Sequence, residues 1–406
     1  MDTPLNMAPP SSIWSDWLRE SLDSWEDRGL LRELRAFEPL GSVRGRANGK
    51  EVVLFSTNDY LGLSYHPEVR EAVAKAVRDF GMGARGSALV CGYSPLHEEL
   101  EARLAHHKKT ESALLFPTGF AANLAVLQSL ADRDTTIFSD ELNHASMIDG
   151  CRMAKGNGAE VAVYRHRDID HLGELLRIQN TPKKLIVTDT VFGMDGDLAP
   201  LAEIVDLKEE FGAMLCADEA HATLVFGEKG GGLAEHLGVS EKVDVHIGTL
   251  SKAFGLQGGF VASNSEIRSW LLNRGRSYIF STALPVPLVA GALAALDLCT
   301  RDSSIQSKLW ESIDYLSNQL GASMESPILP IRLNDNVAAL DAANRLFEKG
   351  FHVPAIRPPS VPEGTARLRI ALSAAHSRED LLGLVGALRE MGLPRFDQAG
   401  SNFAYF

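Results

Sequence analysis

The sequence predicts an α/β chain with a large, mostly parallel sheet covered by helices and a smaller α/β unit behind it. Three observations carry this expectation. Short apolar runs alternate with helical stretches from Ser112 to Ala217, the rhythm of βαβ units that bury a parallel sheet between helical layers. The rhythm changes at Pro285–Pro287, after which a second α/β pattern begins. A chain of 406 residues also exceeds what one hydrophobic core supports, so it should divide into domains. We place these at 1–55 (helical segment and strand), 56–287 (large), 288–395 (small) and 396–406 (tail).

Taken in order, residues 1–12 carry no periodic signal. From Ile13 to about Phe37, Trp14, Trp17, Leu18, Leu22, Trp25, Leu30, Leu31 and Leu34 recur at roughly helical spacing. A Gly/Arg-rich stretch, GSVRGRANGK, precedes the strand EVVLFS. Amphipathic helices are expected at His66–Phe80 and Leu96–His107. Strands follow at Ser112–Phe116, Thr135–Phe138, Glu160–Tyr164, Lys184–Thr188 and Met214–Ala217, with helices at Ala121–Leu130 and Ser146–Lys155. Beyond the break, one long helix is expected from Leu288 to about Leu320. Then come strand ILPIRL, a helix at Asn336–Lys349, strands FHVPAI and ARLRIAL, and a last helix at Arg378–Glu390.

Composition narrows the function classes. Lys and Arg number 40 against 53 Asp and Glu, a net charge of −13. So acidic a chain repels a phosphate backbone, and nucleic acid is not an expected partner. Cys91, Cys151, Cys216 and Cys299 are widely spaced and form no CxxC pair, which fits a reducing compartment. The start, MDTPLNMAPPSS, lacks the basic and apolar regions of a signal peptide, and no run of 18 apolar residues offers a membrane span. Cytoplasm is the expected location, with a peroxisome or other organelle as the alternative. His106 and His107 are adjacent on a helix and face different sides, so we read surface histidines and expect no metal.

Four motifs carry chemistry. In HIGTLSKAFGLQGGF (246–260), Lys252 stands among Thr249, Ser251 and glycines. Most lysines are solvated surface charges, but this setting is poor surface composition. Partial desolvation lowers a lysine pKa and makes it a nucleophile and base. In LCADEAHATLVFG (215–227), Asp218 ends an apolar strand, where ligands bind in open α/β sheets. It is either a cap or a ligand contact, and His221 is either a ligand contact or a satisfied core histidine. In FPTGFAANLAVL (116–127), a strand runs into a helix at Thr118-Gly119-Phe120, whose free N–H groups suit a phosphate or a plain helix start. In SDELNHASMIDG (139–150), His144 follows a strand and precedes a helix. It is a capping histidine or a ring that stacks on a planar ligand.

The combination and order decide. With STNDYLGLSYHPEV, FSTALP and IRPPSVPEGTARLRIALSAAH, these motifs resemble the α-oxoamine synthase family of pyridoxal-phosphate (PLP) enzymes over roughly residues 13–395. The resemblance implies PLP fold type I, the aspartate aminotransferase-like architecture, and a homodimer. It implies Lys252 as the Schiff-base lysine, Asp218 on the pyridine nitrogen, His221 on the phenolic oxygen and His144 stacked on the ring. Gly119, Phe120 and Thr249 would surround the phosphate, with Ser251 and Asp189 also at the cofactor. Thr282 would reach the phosphate from the neighbouring subunit. Asn58 and Arg357 would hold the amino-acid carboxylate, and Arg32 would sit near the acyl substrate.

Within the family, the tail and the FSTALP segment most resemble members that condense L-alanine with a pimeloyl thioester, carried by CoA or acyl carrier protein. Glycine- and serine-using members are the alternative. Three departures stand out: Gly193 where a serine is common, Asp189 where a glutamate is common, and Leu224 where a glycine is usual. The match Gly81–Gly86 to G-x-G-x-x-G follows a helix rather than a strand, so no nicotinamide dinucleotide site is expected. It reads as a glycine loop near the site entrance.

Overall fold

The computed structural model describes residues 12–393. The expectations for the first eleven residues and for the tail from 396 lie outside the described residues. Helix α1 (Ser12–Asp27) buries none of its residues. The expected helical run to Phe37 stops at Asp27, because Gly29 takes φ 63°, a left-handed exit that glycine makes without a Cβ clash. The Gly/Arg-rich stretch is not a plain loop. It pairs as β1 (Glu38–Gly41), β2 (Arg44–Ala47) and β3 (Lys50–Leu54), an antiparallel ladder.

Helices α2 (Pro67–Phe80) and α3 (Pro95–Lys108) follow, each opening on a proline, which fits a first turn that needs no N–H. His107 corrects the surface reading: it is half-buried and its ring bonds the Gly230 carbonyl at 3.0 Å. The main body then alternates β4 (Ser112–Phe116), α4 (Gly119–Leu130), β5 (Thr135–Asp140), α5 (Ala145–Gly156), β6 (Glu160–Tyr164), α6 (Ile169–Ile178), β7 (Lys183–Asp189), α7 (Leu201–Phe211), β8 (Met214–Asp218), α8 (Leu233–His236), β9 (Val245–Thr249) and β10 (Gly259–Ser263). The seven strands form one mixed sheet in the order β4-β10-β9-β8-β7-β5-β6. Only β10 runs against its neighbours. Strands β5 and β9 are buried along their whole length, as expected for a sheet covered on both faces.

Helices α9 (Ser265–Arg274) and α10 (Arg276–Ile279) lead to α11 (Val286–Arg301) and α12 (Ser304–Leu320). The single helix expected here is two. The Asp302 carboxylate accepts the Ser304 N–H at 2.9 Å and turns the chain between them. Then follow β11 (Ile328–Arg332), α13 (Asn336–Glu348), β12 (Phe351–His352), β13 (Ala355–Ile356), β14 (Arg367–Ala371) and α14 (Arg378–Glu390). A small antiparallel sheet has the order β11-β14-β13. The expected strand FHVPAI splits around Val353-Pro354: β12 pairs with β3 and β13 with β14. Proline cannot donate to a ladder, so the change of sheet falls there. Among the described residues, no helix is long and apolar enough to cross a membrane, and no group of three or more His, Cys, Asp and Glu is placed to hold a metal.

Candidate active site

The site lies where the parallel strands end. A cavity of about 770 Å³ opens beyond the carboxyl ends of β4, β5, β7, β8 and β9. Its lining includes Asn58, Gly119, Phe120, His144, Asp189, Asp218, His221, Thr249, Ser251, Lys252 and Arg369. Ten of these eleven are residues singled out in the sequence. All but Asn58 and Arg369 come from the ends of the large sheet's strands or the turns that follow them, the place where α/β sheets put ligands, while Asn58 follows β3 and Arg369 lies within β14.

Asp218 closes β8 in register with Asp189, which closes β7. Asn123 donates its side-chain N–H to Asp218 Oδ2 at 2.7 Å, and the Ala220 N–H donates to Oδ1 at 2.8 Å. Asp189 accepts the backbone N–H of His144 at 2.7 Å. Burial, reinforced by the charge of Asp218, holds the Asp189 carboxyl well above the usual range. Burial pushes the Lys252 amine down to about 8, although the Asp218 and Asp189 carboxylates oppose it. A lysine so shifted is part neutral near neutral pH, and the neutral form is the nucleophile.

His144 caps α5. Its Nδ1 accepts from the Ser146 backbone N–H at 3.3 Å and lies 2.7 Å from Ser146 Oγ, so its proton sits on Nε2. Asn123 also donates to Ser146 Oγ at 3.0 Å. One chain of bonds thus ties His144 to Asp218, and burial keeps the imidazole neutral by lowering its pKa. His221 Nδ1 lies 2.7 Å from the hydroxyl of Tyr60, a fully buried residue. Its pKa is held well below 6.5 by burial, with Lys252 and Arg369 adding to the effect.

The departures from the family pattern have structural counterparts. A Cβ at Gly193 would stand 2.4 Å from His221 Nε2, so His221 fills the room a side chain there would need. Leu224 takes φ 65°, which costs an L residue about 1–2 kcal/mol. Its side chain is fully buried, worth about 1.5–3 kcal/mol, so packing offsets the strain.

At the mouth of β4, Thr118 caps α4 by accepting the Ala121 N–H at 3.0 Å. The N–H groups of Gly119 and Phe120 belong to the first turn, which has no intrahelical acceptors for them. A Cβ on Gly119 would lie 3.4 Å from Thr249, so the helix end and the hydroxyl flank one spot. Thr249 Oγ1 donates to the Gly258 carbonyl at 2.9 Å and lies 2.7 Å from Ser251 Oγ.

The substrate side divides the expected residues. Asn58 lines the cavity and accepts from Arg369 at 3.2 Å. Arg357 does not line it. Its guanidinium donates to the Gly29 and Leu31 carbonyls and pins the segment after α1. Arg32 donates to the Pro358 carbonyl at 2.9 Å, behind Pro359–Pro362, which line the mouth. Thr282 pairs with Ser87 outside the cavity of its own chain, and none of Gly81–Gly86 lines it either. Sequence reasoning missed Arg369, Asn123 and Tyr60. The second arginine of ARLRI and the asparagine of FAAN were the available signals.

These residues fit PLP. The cavity has the size of a small-ligand site, with an amine, a carboxylate and a helix N-terminus on its walls. Beside Asp218, buried Asn123 Oδ1 has no hydrogen-bond partner among the described residues. The fold and site define a PLP-dependent enzyme, and the chain belongs to the class I and II aminotransferase family, whose model matches residues 50–388. The chain is 46% identical to the 8-amino-7-oxononanoate synthase of Arabidopsis thaliana, over 84% of this chain and 74% of that one. It is also 46% identical to the enzyme of that name from Anaeromyxobacter sp. (strain K), over 92% and 94%. A serine palmitoyltransferase from S. paucimobilis, solved with a bound PLP-myriocin aldimine, superposes with TM-score 0.88 at 30% identity, over 95% of this chain and all of that one.

Proposed function

We propose that this chain catalyses the 8-amino-7-oxononanoate synthase reaction of biotin synthesis. L-Alanine and pimeloyl-CoA, or the pimeloyl acyl carrier protein, give 8-amino-7-oxononanoate, CO₂ and the free thiol carrier. The reading rests on Lys252, Asp218 and Arg369 converging on one cavity, in a chain whose sequence relatives carry that name.

PLP, when bound, supplies an electron sink for charge developing at the amino-acid α-carbon. The chain's own residues do the rest. Lys252 Nζ holds the cofactor and, once free, takes and returns the α-proton. The Asp218 carboxylate, its direction fixed by Asn123, would keep the pyridine nitrogen protonated. His144 would present its ring face to the cofactor, and His221 would serve its phenolic oxygen. Gly119, Phe120, Thr249 and Ser251 receive the phosphate. Arg369 and Asn58 hold the amino-acid carboxylate until it leaves as CO₂. Arg32 supports the 359–362 wall along which the acyl chain enters. We place a homodimer around this site, with Thr282 turned to the neighbouring subunit's phosphate.

The likeness to serine palmitoyltransferase favours a second reading, in which serine replaces alanine. Titrating the PLP-loaded protein with L-alanine, glycine and L-serine, then adding pimeloyl-CoA and measuring CO₂, decides between them. Alanine-dependent CO₂ release is expected. Release with serine or glycine but not alanine would overturn the substrate assignment.

A further inference from the structure

His166 lies outside the cavity, in the loop after β6, yet it sits at the junction of the two sheets. Its Nδ1 is 3.0 Å from Asp140 Oδ1 at the end of β5, and its Nε2 is 3.0 Å from Asp197 Oδ2. Both partners are carboxylates, which only accept, so each ring nitrogen must carry a proton. The ring also meets Phe192 edge-on at 4.4 Å. Phe192 and Asp197 are the two ends of one tight turn, closed by the Phe192 N–H donating to the Asp197 carbonyl at 3.0 Å.

That turn leaves the large sheet and docks on the small one. A Cβ at Gly196 would stand 2.3 Å from the Ile328 carbonyl of β11. Asp195 accepts from Arg332 at 2.9 Å and from Arg367. The Gly193 carbonyl accepts Arg369 Nε at 2.6 Å, while Arg369 also donates to Asn58 in the cavity. Phe192, Gly193, Met194 and Asp195 are themselves cavity wall.

We propose that His166, as a doubly donating imidazolium, is a positioning residue that clasps the 192–197 turn and so holds Arg369 in place for the substrate carboxylate. The proposal rests on the reading of Arg369 given above. The charged groups around the ring are Asp140, Asp197, Arg167, which shares Asp197 at 3.3 Å, and Glu141, which accepts the His166 backbone N–H at 2.9 Å. Burial works against a charged ring here. The bonds and charges of Asp140 and Asp197 overcome it and push the pKa up to about 9. The clasp is therefore closed through neutral pH and opens as pH rises through about 9.

The test compares wild type with H166Q, which lacks the charge and donates from a single nitrogen, and H166R, which keeps a permanent charge and donates from more than one nitrogen. Amino-acid dissociation constants of the PLP-loaded proteins are read from the cofactor spectrum between pH 6 and pH 10. In H166Q, binding should weaken about tenfold at pH 7, the scale of coupling through a packed network, with the cofactor spectrum before substrate unchanged. H166R should restore it. Above pH 9 the wild type should weaken relative to H166R, a ratio in which the titrations of Lys252 and of the substrate amine cancel. Full affinity in H166Q, no rescue by H166R, or a ratio that stays flat would each overturn the clasp. If the wild type binds no amino acid, the functional reading fails instead. Hydrogen exchange of the 192–197 amides in the cofactor-free protein then decides the clasp: protection lost in H166Q and kept in H166R supports it, and equal protection in all three overturns it.

Discussion

Asn123 Nδ2 sits 2.7 Å from Asp218 Oδ2, and among the described residues no other side chain donates to that carboxylate. Asn123 comes from the second turn of α4 and Asp218 from the end of β8, so the helix whose N-terminus lines the cavity also steers the acid. Hydrogen bonds to charged groups contribute about 1.5–3 kcal/mol. Asn123→Ala should therefore weaken PLP binding by roughly ten- to a hundredfold, measured by titrating cofactor-free protein with PLP and following absorbance. Unchanged affinity in a folded variant would remove Asn123 from the site.

Lys252 yields a prediction in pH. Its amine is pushed down to about 8 by burial, and only the neutral amine captures an aldehyde. The rate at which cofactor-free protein takes up PLP should rise as pH passes through about 8 and level off above it. The loaded protein should show the visible absorbance of a cofactor Schiff base, and Lys252→Ala should show neither that band nor turnover. A rate midpoint close to the ordinary lysine value of 10.5 would contradict the desolvated placement.

Much of this was legible in the sequence because each feature depends on local chain. A residue at or just past the end of a short buried strand falls at the sheet's ligand edge whatever the rest of the fold does, which fixes Asp218 and His144, while Lys252 was legible from the hydroxyls and glycines around it. Strands β9 and β10 were missed because VHIGT and GFVAS are short, mix glycine and polar residues into buried positions, and lie in a motif read for its chemistry. Arg357 and Arg369 could not be told apart by sequence. Both lie on the same stretch, and only the packing of residues 29–31 over Arg357 shows which one turns to the cavity. Asn123 and Tyr60 are read from neighbours far along the chain, which spacing alone does not report.

Beneath Asp218, Lys108 and Glu219 form an ion pair at 2.7 Å with both side chains fully buried. Lys108 also donates to Thr223 and the Gly231 carbonyl, while Glu219 accepts from His246 and the Ala234 N–H. Removing one partner leaves a buried charge uncompensated, at a cost of about 3–5 kcal/mol. Lys108→Met should lose about that much in urea unfolding, and Lys108→Met with Glu219→Gln should recover part of it. Burial raises the Glu219 carboxyl, but Lys108 and His246 outweigh it and hold it down at about 2. The pair's stabilisation is thus present above pH 4.5 and is lost as pH falls through about 2. Lys108→Met should bring acid unfolding to higher pH. An unchanged acid midpoint would show that the pair carries no such linkage.

The two arginines give the sharpest separation between site and scaffold. Arg369 is buried, donates to Asn58 and the Gly193 carbonyl, and lines the cavity. Truncating one partner of a buried charged contact costs about 2–5 kcal/mol, so Arg369→Ala should weaken amino-acid binding by about thirtyfold or more. Arg369→Lys should recover little, because one ammonium cannot reproduce the fork that reaches Asn58 and the turn together. Arg357→Ala should leave amino-acid affinity within about threefold and instead lower Tm, since it releases the Gly29 and Leu31 carbonyls that hold the segment after α1. Binding measured by the change in cofactor absorbance, alongside thermal unfolding of the same samples, separates the two. If Arg357→Ala abolishes binding while Arg369→Ala spares it, the carboxylate site belongs to Arg357, and the cavity must rearrange when substrate enters.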